Sequence, residues 1–499
     1  MEFLKKHQFT VLYVILAIFS LVFLVQKTIS KDLIFTVSLF LIVLILEIVI
    51  FLLLKKMMKK EYSLEKVYLP IAIVLGFIYL FAFPFSQLPD EKSDYLRSLE
   101  VANFHATSVQ KYKTVGREFS TNIDKVYSSN SYDDMKKNSN LKLNEETQFY
   151  AFSNKSLYAF VCYIPQALGI GISSFLGFSI VLQGLIGKIF NYTFFVILMY
   201  LSIKYIPFKK MLVFFIALLP MTLQEAVSLS PDAMTISVSI ALISFILYFR
   251  NGTTQKLKLK HLIILSLLAI TLSLCKIVYL PLCFLIFLIP KERFKSKKQK
   301  YLFCSILSLV VIIVNLAWLN VSSQYLGAFE SRSNAGDQLK YILSNPIYYI
   351  GIIFNTLDDY AITYLGEMVG KTLGNFNVQT SSIMTIVSLG ILFYLISKTK
   401  GKKNWKDFIF SLKEKIFIIL VILGTILLMF TSLYIQWTAV YSNIIDGIQG
   451  RYFIPILLII SMLWMHKNEV KSKNEDFNIA SCSVLTNIMA LIAVFVTFI

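Results

Sequence analysis

The chain has 499 residues, 57% of them hydrophobic, and carries a formal net charge of +19 at pH 7. A soluble domain is about 45–50% apolar, and the excess here lies in long blocks such as DLIFTVSLFLIVLILEIVIFLLL. Runs of about 20 apolar residues match the hydrocarbon core of a bilayer, so composition excludes a soluble enzyme and points to an all-α polytopic membrane protein. The charge also argues against nucleic acid as a partner. Lysines crowd KKMMKK, KYIPFKK, KLKLKH, KERFKSKKQK, KTKGKKNWK and HKNEVKSK, each between two apolar blocks. That is the positive-inside pattern that orients helices, with anionic lipid as the neighbour.

Taken in chain order, the first apolar stretch, KKHQFTVLYVILAIFSLVFLVQKTISKD, has no small-residue cleavage site and is followed by another span. It reads as a retained helix rather than a signal peptide. With the basic loops placed inside, spans fall near 9–26, 33–54, 67–86, 180–203, 211–228, 232–249, 261–274, 276–290, 301–321, 380–397, 416–436, 452–466 and 480–498, about 13 in all. The N-terminus is then cytoplasmic and the C-terminus extracytoplasmic, in a single integral membrane domain over 1–499. The Lys, Ile and Asn bias fits an AT-rich bacterium, so the membrane is expected to be a bacterial cytoplasmic membrane.

The stretch LYAFVCYIPQALGIGISSFLGF, 157–178, would invert every later basic loop if it spanned. It is therefore expected to lie at the outer interface as an amphipathic or re-entrant helix. Lys276 interrupts the apolar run 261–290, which predicts two short helices meeting at the outer side. Two large outer loops result, 87–179 with an acidic motif and an interfacial helix, and 322–379 with interfacial helices of its own. There is no internal repeat and no Gly-rich phosphate loop, and the inner loops are far below domain size. The five cysteines (Cys162, Cys275, Cys283, Cys304, Cys482) sit in or near apolar segments without paired spacing, and the four histidines are scattered. Neither a disulfide framework nor a zinc site is expected.

The chemistry-bearing residues gather at the outer ends of the spans. In FPFSQLPDEKSDYLR an apolar run ends and Asp90 and Glu91 follow at once. Ser86 or Gln87 would cap a helix with Pro89 in its first turn, and Asp90, Asp94 and Arg97 would share a face at i, i+4 and i+7. One reading is ordinary: the acids start a helix and Arg97 pairs with Asp94. The other is functional: a carboxylate waits at the membrane surface to take a proton from an incoming hydroxyl, or Asp90, Glu91 and Asp94 hold a hard divalent cation. Asp232 opens a span after Pro231, again ordinary for a helix start. Lys276 lies inside an apolar run, where a charge costs about 2.5–3.5 kcal/mol, so it snorkels or finds a partner. Arg451 stands at the outer start of a span, and Arg with Lys at one membrane face makes a clamp for a phosphate.

LPDEKSDYLRSLEVA, ALLPMTLQEAVSLSPDAMT, CKIVYLPL, DQLKYILSNPIYYI and QGRYFIPIL, in this order over roughly 65–466, together resemble the bacterial membrane family known as domain of unknown function 2142. That family is similar to the GT-C superfamily of glycosyltransferases. The resemblance implies a GT-C-like helical bundle that takes a sugar from a polyprenyl-phosphate donor and passes it to a cell-envelope glycopolymer on the outer face. It also implies that Asp90 and Glu91 supply the base or metal ligand, with magnesium or manganese the candidate ion. Lys276 and Arg451 would hold the lipid phosphate, beside Asp94, Arg97 and Asp232. The family motif often has a histidine three residues after the Glu; Asp94 stands there in this chain. Two rival readings are a lipid-linked saccharide transporter or flippase, for which the span centres look too apolar, and a non-catalytic scaffold of envelope assembly.

Overall fold

The structure, a computed structural model, describes residues 2–29, 31–60, 62–111, 114–128, 131–325, 333–400, 409–464, 466–468 and 473–498. Part of the expected second loop, 326–332, and the basic stretch 401–408 lie outside the described residues.

The described chain is mostly helical. Seven helices are long and apolar enough to cross a membrane: Leu33–Met57, Leu64–Ala82, Ile180–Tyr205, Asp232–Gly252, Lys297–Ser323, Leu412–Gln436 and Glu475–Phe498. Shorter apolar helices accompany them, among them Tyr13–Thr28, Leu259–Cys275 and Ser382–Ser397. Only 17% of the Leu33–Met57 window is buried inside the protein, against 89% for Asp232–Gly252. The first is therefore peripheral and the second central. The central helix is rich in small and hydroxylated residues, which let neighbours approach closely. Its hydroxyls donate back along the helix, Ser237 to Ala233 O (2.8 Å) and Thr235 to Pro231 O (3.0 Å), because hydrocarbon offers no other partner.

Two expected spans are interrupted, a third apolar run breaks at Lys276 as its sequence predicts, and the three breaks position the site. The run 211–228 does not form one helix. It breaks between Lys210–Ala217 and Pro220–Ala226, where Pro220 opens the second piece. Leu259–Cys275 stops at Lys276, and the chain continues through a short 3-10 turn, Ile277–Tyr279. The run 452–466 begins as a 3-10 segment, Gly450–Ile456, with Pro455 inside it. Irregular backbone at such depth persists only where protein or a polar cavity satisfies it. These breaks carry Glu225, Lys276 and Arg451.

The first loop also departs from an all-helical expectation. It contains a three-stranded antiparallel sheet of Val109–Lys111, Thr114–Ser120 and Thr147–Ala151, with Thr114–Ser120 in the middle. The register pairs Val109 with Gly116 and Gly116 with Ala151. A hydrophobic cluster separate from the main core, including Tyr95, Phe119, Tyr127 and Phe152, fixes this loop to the bundle. The segment expected at an interface forms a helix, Ile164–Phe175, with Pro165 in its first turn. At 1.5 Å per residue it is about 18 Å long, short of the ~30 Å hydrocarbon core. Leu168, Ile172 and Phe175 remain exposed on it. Its Gly169 lies against the next long helix so closely that a Cβ would meet Ile186 O at 2.7 Å.

The opposite ends of the long helices are basic. Lys209 Nζ donates to the carbonyls of Leu395 (3.0 Å), Ile396 (2.6 Å) and Lys398 (2.6 Å), placing a cation on the negative end of the Ser382–Ser397 helix. Arg250 donates to both oxygens of Glu414 at 2.9 Å, and Glu414 also completes a capping box with Ser411.

Candidate functional site

The site begins with the conformation of Asp90. The helix starts later than expected, at Glu91, and Pro89 lies outside it, so neither Ser86 nor Gln87 caps it. Asp90 takes the N-cap position with φ +58° and makes no side-chain cap bond. An Asp tolerates this left-handed conformation better than most residues. Its carboxylate turns instead to Lys155, Oδ2 lying 3.1 Å from Nζ.

Asp94, one turn on, meets the same lysine at 3.1 Å and accepts from Tyr163 Oη at 2.9 Å. Asp90 and Asp94 thus do share a face. Asp94 is 1% exposed, whereas the Asp90 side chain is 46% exposed. The charge of Lys155 holds Asp90 below the usual carboxylate range, with Arg451 adding to the effect and Asp232 and burial opposing it. Burial pushes Asp94 up to about 7, against the pull of Lys155. Burial alone would depress Lys155, but Asp94 and Asp90 hold its ammonium above the ordinary lysine range.

Glu91 and Arg97 turn away from this pair. Glu91 is fully buried against Lys188 of the Ile180–Tyr205 helix. Arg97 does not pair with Asp94. Its fully buried guanidinium pairs with Glu100 and donates to Ala106 O at 2.8 Å and Tyr158 O at 3.3 Å, while Arg117 Nε takes the other oxygen of Glu100 at 2.8 Å. This network ties the sheet of the first loop to the helix.

The expected metal set of Asp90, Glu91 and Asp94 consequently does not converge. Lys155 lies between the two aspartates and Glu91 faces elsewhere. Among the described residues, no three histidine, cysteine or acidic side chains gather as a metal set.

The second half of the site comes from the helix breaks. Lys276 Nζ lies 2.5 Å from Asp232 Oδ1, and Arg451 Nε lies 3.4 Å from Asp232 Oδ2. Arg451 reaches Glu225 Oε1 through NH1 at 2.7 Å. Lys276 Nζ is 4.4 Å from the Tyr452 ring centroid and 5.5 Å from that of Tyr158, a desolvated cation over two electron-rich faces. It lines a cavity of about 150 Å³ with Tyr158, Asn315, Trp318, Gln436 and Tyr452. Asp90 and Arg451 do not line that cavity; Arg451 lines a much smaller one beside Pro89. The charged side chains thus form two adjoining ionic groups, with Asp232 linking the two cations.

Three of the partners were not assigned roles from the sequence. Lys188 carried a signal, since an ionisable residue within an apolar span calls for a partner. Glu225 lay within the ALLPMTLQEAVSLSPDAMT motif but inside what read as a continuous span. Lys155 looked like any other lysine of a polar loop.

Apolar helices long enough to cross a bilayer, joined by a polar ionic cluster at one end, define an integral membrane protein. The family described as predicted membrane protein, domain of unknown function 2142, matches residues 73–460. The chain belongs to that family. No curated protein and no solved structure matches it.

Proposed function

We propose that this protein is a membrane glycosyltransferase that moves a sugar from a polyprenyl-phosphate donor to a cell-envelope acceptor on the outer side of a bacterial cytoplasmic membrane. The observation that carries this reading is the meeting of Lys276 and Arg451, from distant parts of the chain, on Asp232, within the field that Asp90 also feels. Lys276 has hydrogen-bond capacity beyond its one carboxylate partner, and it lines a cavity between tyrosines. A phosphate leaving as an anion there is stabilised by charge already in place.

Asp90 is the acid that can meet an acceptor hydroxyl, because it alone of the three N-terminal carboxylates is half exposed while Glu91 and Asp94 are sealed. Lys155 keeps Asp90 ionised, so its part is to orient the hydroxyl and take the proton late, as the oxygen gains bonding to the sugar. A single displacement inverts the anomeric centre: the new glycosidic bond forms as the bond to the phosphate oxygen breaks.

The test uses membranes containing the full chain and radiolabelled polyprenyl-phosphate sugars. Asp90→Asn and Lys276→Met should each lower transfer by at least about 100-fold, the scale of a lost base or oxyanion contact. Transfer at the wild-type rate by Asp90→Asn overturns the assignment of the base. Movement of the lipid across vesicles with the sugar bond intact replaces the transferase with a transporter.

A further inference from the structure

A short hairpin closes the second loop. Its strands, Thr372–Leu373 and Val378–Gln379, run antiparallel and pair Thr372 with Gln379 and Leu373 with Val378. Leu373 and Val378 are fully buried, while the turn between them carries Phe376 at 42% exposure. Phe376 belongs to neither hydrophobic cluster. Its φ is +61°, a conformation that Gly and Asn accept and a bulky residue resists. Asn375 and Asn377 flank it, so residues better suited to that conformation stand one place to either side. Backbone strain of this kind persists only where the surroundings impose it, and it gathers at ligand sites.

The hairpin is anchored to the ionic groups. Gly374 N donates to Gln224 Oε1 at 2.7 Å, next to Glu225, which holds Arg451. Asn377 Nδ2 donates to Gln87 Oε1 at 3.2 Å, just ahead of Asp90 in the chain. Thr380 Oγ1 donates to Gly370 O at 2.8 Å and closes the base of the hairpin. Phe376 and Pro89 line the cavity of about 10 Å³ beside Arg451, which has room for one water. A half-exposed ring is thus held in place beside Pro89 and Arg451. Phe104 offers a contrast. It also has φ +61° and is 98% exposed, but it lines a groove with Ile172, Phe175 and Leu176 that suits lipid. Around Phe376 the exposed neighbours are Lys371, Asn375, Asn377 and Gln379, ammonium and amide groups that hydrocarbon rejects.

A ligand suited to such a tip has an apolar face for the ring and hydrogen-bonding groups at its edge for the amides. A pyranose is built that way. C–H groups cover one of its faces and hydroxyls ring its edge, and those C–H hydrogens are drawn to the negative face of an aromatic ring. We propose that Phe376 is the platform on which the acceptor saccharide stacks, with Asn375 and Asn377 meeting its hydroxyls. That the saccharide is the acceptor rests on the transferase reading above; that the tip binds a sugar ring rests on Phe376 and its neighbours.

The full chain in nanodiscs, without donor, is titrated with tetrasaccharides of glucose, galactose, rhamnose and N-acetylglucosamine, and contact is read by saturation-transfer NMR. The expected result is saturable binding of at least one of them. Phe376→Gly should weaken it about tenfold, the scale of a lost aromatic contact, and Phe376→Tyr should retain it. Phe104→Gly should leave it unchanged. Glycine relaxes the backbone at a positive φ, so Phe376→Gly should melt no lower than the wild type; a clear drop would mean that the ring packs on the protein, and overturns the proposal. Absence of saturable binding in the wild type, or equal binding by Phe376→Gly, overturns it as well. So does a Phe376→Trp variant whose added fluorescence is quenched by lipids brominated in their acyl chains, since that places the residue in the bilayer. The measurement needs neither donor nor turnover, so it can fail while the sugar-transfer assay succeeds, and the reverse.

Discussion

Lys276 and Asp232 face each other across 2.5 Å, with side chains 11% and 8% exposed. Neither charge could lie so deep alone, since an unpaired buried ion carries several kcal/mol of desolvation cost. The break after Leu259–Cys275 therefore exists together with the acid that opens the central helix. Lys276→Met leaves Asp232 only its longer contact with Arg451 and should destabilise the protein by up to about 3–5 kcal/mol, the usual cost of breaking a buried pair. The double change Lys276→Met with Asp232→Asn should recover part of that loss. Thermal unfolding in detergent measures both, and a double variant weaker than the single one contradicts the pairing.

Glu91 and Asp90 are neighbours in sequence but should behave oppositely. Glu91→Gln strips the buried Lys188 of its partner and is expected to cost about 3–5 kcal/mol. Asp90→Asn removes a half-exposed partner of Lys155, and solvent screening holds that loss to about 1 kcal/mol or less. Chemical denaturation ranks the two. If Asp90→Asn is the more damaging to stability, its assignment as the carboxylate open to an acceptor fails.

The pH dependence of stability should have two limbs of opposite sign. Asp94 titrates at about 7 in the fold, above about 3.9 in an unfolded chain. Its contribution is complete below pH about 3.9 and is lost as pH rises through 7. Asp90 lies below its ordinary value. Its contribution is present above pH about 3.9 and is lost as pH falls through its folded value. Asp94→Asn should flatten the change between about pH 4 and 7, and Asp90→Asn the change below about pH 4. Melting temperatures across that range show which limb each variant removes.

Gly450 precedes Arg451 where two backbones nearly touch. A Cβ there would run into the carbonyl oxygen of Tyr364 and the amide nitrogen of Met368. Gly450→Ala should cost about 1–3 kcal/mol as the backbones are forced apart. On the proposed reaction it should also lower sugar transfer, as Arg451 moves relative to Asp232 and Glu225. Wild-type melting in this variant would mean that the contact relaxes freely.

Much of the architecture could be read without coordinates. Long apolar runs announced the helices, because a bilayer admits few alternatives. Lys276 announced a break, because an ammonium inside an apolar run must have a partner or water. Prolines marked other boundaries less clearly: Pro220 opened a new helix where one continuous span was expected, while Pro70 sits inside the Leu64–Ala82 helix without breaking it. The sheet of the first loop went unseen, since its strands are three, seven and five residues long in polar surroundings and carry little periodic signal.

The amino-acid sequence alone determined that this chain lives in a membrane, and it supplied Lys276 as a charge that hydrocarbon would not tolerate unpaired and Asp90, Asp94, Asp232 and Arg451 as charges at the outer ends of the spans. Which of them pair was decided only in three dimensions. Helical spacing offered Arg97 to Asp94, yet Arg97 went to Glu100 and Asp94 to Lys155. Ion pairing depends on distance and desolvation, and those are set by how helices from remote segments cross.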